Sequence, residues 1–123
     1  MDPISVTWEN RPGVPPALTV TQLARIIRDT VRANPILSRI LVRGEVSNLQ
    51  PAPSGHVFFT LKDATAQLSC TVFREDAEVL GFDLEDGMDV VVSGDVDVFP
   101  RRGSVQLLVK AATPAGVGAF WAA

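Results

Sequence analysis

The sequence predicts an all-β fold with accessory helices: a five-stranded Greek-key barrel preceded by an N-terminal helix. Three observations predict it. Segments beyond residue 38 alternate apolar and polar residues with period two, the mark of half-buried strands. Glycines interrupt two of the longest, Gly44 and Gly94, where a barrel strand must bend. An acidic stretch of helical character separates the third strand from the fourth.

In chain order, residues 1–17 form a proline-rich arm with Pro3, Pro12, Pro15 and Pro16 and no apolar period. Trp8 and Val14 are its expected anchors, on this domain or on a second copy in a homodimer that exchanges arms. Thr19 with Gln22 is a capping-box pattern that satisfies two orphan N–H groups and starts a helix over 20–33. Val20, Leu23, Ile26, Ile27 and Val31 recur at helical spacing, with Arg25, Arg28 and Arg32 opposite. Asn34-Pro35 ends the helix, because the residue before proline disfavours helical backbone.

The barrel is expected over 38–111. Its first strand runs from Ile40 to Leu49, with Ile40, Val42 and Val46 inward and a bulge or bend at Gly44. A loop over 50–55 leads to the second strand, 56–62, and the turn at Asp63-Ala-Thr65 leads to the third, 66–73. A short helix is expected over 74–82, then a strand over 88–99, a basic turn at Pro100-Arg-Arg-Gly103, and a last strand over 104–111. Helix, three strands, helix and two strands is the order of the OB-fold, whose binding face lies on strands two and three. The domain is expected over 18–113. Residues 114–123, which end in Phe120-Trp121-Ala-Ala, read as a truncated linker to an absent domain.

Charge is unevenly spread. The chain of 123 residues has net charge −3, yet residues 75–97 hold nine acids and no base. The remainder carries all eleven Lys and Arg against five acids, so its local potential is positive. The acids read as solubilising charge. One cysteine, Cys70, excludes an internal disulfide, and a lone histidine, His56, excludes a zinc site of ordinary composition. No apolar run is long enough to span a membrane and no signal-peptide order is present, so a cytoplasmic address is expected. Ser54 and His56 lack a third member for a triad, and no phosphate-binding glycine loop occurs. No catalytic residue, metal or cofactor is expected.

The most informative stretch is Ser54-Gly-His-Val-Phe-Phe-Thr-Leu-Lys-Asp63. Alternation turns Val57, Phe59 and Leu61 inward and puts His56, Phe58, Thr60 and Lys62 on the open face. An exposed ring beside a cation can stack a base and hold its phosphate. The expected nucleic-acid contacts are Phe58 for stacking, Arg43, Lys62, Arg101 and Arg102 for phosphates, and Ser47, His56 and Gln67 for polar contacts. Ser69 and Thr71 share that outward face.

The stretches Leu18-Thr-Val-Thr-Gln-Leu23, Val42-Arg-Gly-Glu-Val-Ser-Asn48 and Ser54 to Asp63 resemble the N-terminal domain of the exodeoxyribonuclease VII large subunit. Leu84-Glu-Asp-Gly-Met88, Gly94, Arg102-Gly103, Gln106-Leu107 and Pro114-Ala-Gly-Val-Gly118 continue the likeness over roughly 18–120. The resemblance implies an OB-fold part that captures single-stranded DNA for degradation to short oligonucleotides. It also implies a catalytic domain downstream and small subunits that attach through regions absent here. Phe58 before Leu61-Lys62-Asp63 is also similar to the stacking aromatic of anticodon-binding OB domains in class II aminoacyl-tRNA synthetases. Phe99 stands where the family usually has tyrosine, and Val105 where it usually has an aromatic, so fewer stacking platforms and weaker binding are implied. Two other readings stand beside this one: a module that docks its own catalytic domain or another subunit of the nuclease complex through the same face, and an RNA-binding domain of anticodon type.

Overall fold

A computed structural model of the chain describes residues 16–115. Helix α1 spans Val20–Ala33 and opens with the expected capping box, Thr19 and Gln22 each accepting the other's backbone N–H. A 3₁₀ turn at Pro35–Leu37 follows. The strands are β1 Ile40–Pro51, β2 Val57–Lys62, β3 Gln67–Val72, β4 Asp89–Phe99 and β5 Ser104–Pro114. They close into a barrel in the order β1-β2-β3-β5-β4, with β3 and β5 parallel and the other pairs antiparallel. The helix between β3 and β4 is shorter than expected: α2 is one turn, Arg74–Ala77, and the chain then crosses the barrel end in turns.

Closure depends on β1 serving two partners. Ile40 to Glu45 pairs with β4, and Glu45 to Pro51 pairs with β2. Gly44 sits at this handover, where a Cβ would come within 2.8 Å of Leu61 Cγ and 2.9 Å of the Lys62 carbonyl. The bulge lies further on than expected. Between Ser47 and Gln50 the register slips by one residue, with Asn48 at φ 53°. The second irregularity falls at the other expected bend, Ser93 to Gly94, opposite β5.

The barrel is filled by Val46, Phe59, Leu61, Cys70, Val72, Val90, Val92, Leu107, Val109 and Ala112. Burial pushes the Cys70 thiol up to about 12, so it remains a neutral core residue. Ala66, the expected first residue of the third strand, lies exposed in the turn before β3. Thr71, expected on the open face, is buried there because its neighbours cover it.

Helix α1 packs on β4, and the side it turns to the barrel was not evident from its apolar period. Ala24 is buried and Arg28 and Val31 half-buried, whereas Leu23, Ile26 and Ile27 are exposed. The anchor is ionic: Arg32 donates to both carboxylate oxygens of the buried Asp97, at 2.9 and 3.0 Å. Hydrogen bonding from Arg32, against the opposing effect of burial, holds the Asp97 carboxyl below its ordinary 3.8. A depressed carboxyl contributes stability above its unfolded value and loses it as pH falls through the folded one. Acidification below pH 3.8 should therefore loosen α1 from β4. In an NMR titration, Arg32→Met should move the Asp97 midpoint upward; an unmoved midpoint would refute the ion-pair anchor.

Among the described residues, no helix is long and apolar enough to cross a membrane. The anchors Trp8 and Val14, the arm-exchanged homodimer and the tail around Phe120-Trp121 lie outside the described residues.

Candidate nucleic-acid interface

Register assembles an open face on β1, β2, β3 and β5. Phe58 stands opposite Gln50 on one side and Thr71 on the other; Thr60 lies between Ser47 and Ser69, and Lys62 between Glu45 and Gln67. Antiparallel partners point to the same side of a sheet, so these residues share one surface. Phe58 is 41% exposed while the adjacent Phe59 is 3% exposed, the alternation a one-sided sheet requires.

The β1 bulge adds Gln50 to this face. Arg43, Glu45 and Ser47 point outward; the extra residue between Ser47 and Gln50 then inverts the alternation, so Leu49 packs on the core and Gln50 is exposed. Asp86 pins the bulge by accepting the Leu49 N–H at 2.9 Å.

Two clefts mark the ends of the surface. At the Phe58 end, a cleft of about 160 Å³ is lined by Asn48, Gln50, Phe58, Thr71 and Gln106 among others, with no charged side chain among the described residues. At the other end a cleft of about 150 Å³ brings Arg43, Lys62 and Gln67 together. Beyond it lies the β4–β5 turn. Because β5 runs parallel to β3 with Ser69 beside Gln106, the residues just before Ser104 lie past the Gln67 end.

A family model described as an OB-fold nucleic acid binding domain matches residues 18–113. The chain belongs to this OB-fold family. It is 44% identical over 106 residues to the exodeoxyribonuclease 7 large subunit of Clostridium botulinum (strain Loch Maree / Type A3), covering 86% of this chain and 26% of the relative. The corresponding subunit of Geobacter metallireducens is 47% identical over 103 residues, covering 84% and 22%. The chain thus spans about a quarter of the length of these curated relatives. Its fold also matches a chain of a replication protein A heterotrimer bound to ssDNA, with TM-score 0.54, 16% identity, and 67% and 61% of the two chains covered.

The OB-fold places the eight sequence-derived residues unequally. Phe58, Ser47, Lys62 and Gln67 share the face of strands two and three, and Arg43 joins them at the cleft. Two of the cations already hold acids. Arg43 grips Asp89 at 2.7 and 3.3 Å, and Lys62 reaches Glu45 at 3.4 Å. The hydrogen bond from Arg43 keeps the Asp89 carboxyl below its usual range. Arg101 and Arg102 are exposed on the turn and have no acid partner among the described residues.

His56 is engaged elsewhere: its Nδ1 accepts the Arg74 N–H at 2.9 Å, and its ring meets Phe73 edge-on at 5.5 Å. It starts α2 where no side chain of the helix's own N-cap residue does. The acids of 75–97 do more than solubilise. Asp76 meets Lys110, Asp86 the Leu49 N–H, Asp89 Arg43, Asp95 the Arg39 N–H, and Asp97 Arg32. Each neutralises a base or a backbone donor brought from a distant part of the chain, which a linear count of charge cannot reveal.

Asn48, Gln50 and Gln106 were absent from the sequence-derived set. A loop was expected at Gln50, and only a bulge brings it onto the face. Gln106 joins through the parallel β3–β5 pairing, which no local pattern signals.

Proposed function

We propose that this domain binds single-stranded DNA and, as part of an exodeoxyribonuclease VII large subunit, delivers it to a nuclease site carried by chain downstream of the barrel. The observation that carries the reading is Phe58, an exposed ring at one end of a polar sheet face that carries cations at its other end. A ring so placed costs apolar exposure in the free protein and offers a stacking platform to any unpaired base. Paired bases in a duplex have their faces already stacked, so the surface favours single strands. The relatives' names support the nuclease context.

Phosphates are held by Arg101 and Arg102 first, because among the described residues their guanidinium groups have no carboxylate to exchange. Arg43 and Lys62 contribute after giving up Asp89 and Glu45. The downstream catalytic domain and the small subunits are the protein partners in this proposal.

Fluorescence anisotropy of a labelled single strand, titrated with this chain at low and moderate salt, tests it. Salt-sensitive binding that equal-length duplex fails to match supports the reading; equal binding of duplex, or stronger binding of RNA of the same sequence, contradicts it. Arg102→Ala should flatten the slope of log affinity against log salt by about 0.7, one phosphate's worth on a single strand. An unchanged slope would remove Arg102 from the phosphate path.

A further inference from the structure

We propose that the uncharged cleft beside Phe58 is a base-reading subsite, selective for the carbonyl-bearing edge of thymine, with Gln106 as its principal reader. The proposal rests on the single-strand reading above.

The side-chain amides of the cleft are held by neighbours. Thr71 Oγ donates to Gln106 Oε1 at 2.8 Å, and Thr71 itself is only 3% exposed. With its carbonyl engaged, Gln106 has an NH₂ group left to offer. Across Phe58, Gln50 Nε2 donates to Asn48 Oδ1 at 3.2 Å. That bond occupies the Asn48 carbonyl and leaves its NH₂ unspent, while Gln50 keeps its own carbonyl. Among the described residues none of these remaining groups has a partner.

The inventory separates base from phosphate. A phosphate site is built from cations and backbone N–H groups, and among the described residues no cation lines this cleft. Fixed neutral donors with an acceptor among them suit a nucleobase edge. Their composition then separates one base from another. Thymine presents two carbonyl acceptors around one N–H, which matches NH₂ groups at Gln106 and Asn48 with the carbonyl of Gln50. Adenine has no carbonyl: its NH₂ group and one ring nitrogen can pair with a single amide, which leaves an NH₂ group of the site unmet where thymine satisfies all three groups.

The test compares binding of equal-length thymine and adenine oligonucleotides to the chain and its variants by anisotropy. Adenine strands stack on themselves, so a thymine preference in the wild type decides nothing by itself. That self-stacking is common to every variant, however, and cancels when each variant's preference is divided by the wild type's. Gln106→Leu should reduce the thymine-to-adenine ratio at least about fivefold, the low end for one specific base contact. Lys62→Met should weaken both oligonucleotides alike.

Thr71→Val, which keeps the shape at β3 and frees the Gln106 amide, should reduce the same ratio with Gln106 still present. It also serves if Gln106→Leu fails to fold by circular dichroism. Unchanged ratios in folded variants that still bind DNA would overturn the subsite and leave the single-strand reading standing. Absence of single-strand binding by the wild type would overturn both.

Discussion

Phe58→Ala should weaken single-stranded DNA binding by roughly 1–3 kcal/mol, about 5- to 150-fold, without altering its salt dependence. Stacking of a ring on a base releases no counterion, so the slope against salt stays with the cations. The fold should be unaffected: Phe58 is 41% exposed, and the core is filled by its neighbours Phe59 and Leu61, at 3% and 4% exposed. Phe58→Trp should retain most of the affinity, since any large aromatic plane will stack. Wild-type affinity in folded Phe58→Ala would remove the ring from the interface. A slope flattened as in Arg102→Ala would show that stacking and phosphate contacts are not separate.

Gly94→Ala should cost the barrel about 3 kcal/mol or more, the upper range for forcing atoms into packed space. A Cβ at Gly94 would overlap the Leu108 carbonyl and crowd Val109 Cα, and all of these are backbone atoms held in the β4–β5 ladder. A side chain can swing aside, but here the register of two strands would have to move. For a domain of this size the loss corresponds to a fall in melting temperature of roughly 12–24 °C. Thermal unfolding followed by circular dichroism measures it, and a shift below a few degrees would mean the strand shift at Ser93 has room to relax. Gly103→Ala is the control, because the space around Gly103 is open, although its φ of 62° adds local strain of its own.

Two glycines mark the bends of the barrel strands. Both Gly44 and Gly94 lie where strands must curl, as expected, because a residue without a side chain inside an alternating run has few other uses. Of the bulge or bend expected at Gly44, the bend is there and the bulge is at Asn48–Leu49. Gly44 serves close approach of β2, and the positive φ is taken by Asn48, a side chain that tolerates it. That displacement decides the site: it turns Gln50 outward and Leu49 inward.

Periodicity and chemistry along the chain determined the helix with its cap, the five strands and their order, and the exposure of Phe58 between two core-facing residues. These are local properties, set by alternation with period two or by hydrogen bonds across three residues. Tertiary structure alone decided what lies beside what. It seated α1 by the Arg32–Asp97 pair with Leu23, Ile26 and Ile27 left exposed, and drew His56 to the start of α2. It spent Arg43 and Lys62 on carboxylates, and brought Gln50 and Gln106 to opposite sides of Phe58. The physical reason is common to all four: each depends on groups that meet only once strands and helices pack together, and pairing brings residues side by side by register, to which distance along the chain is blind.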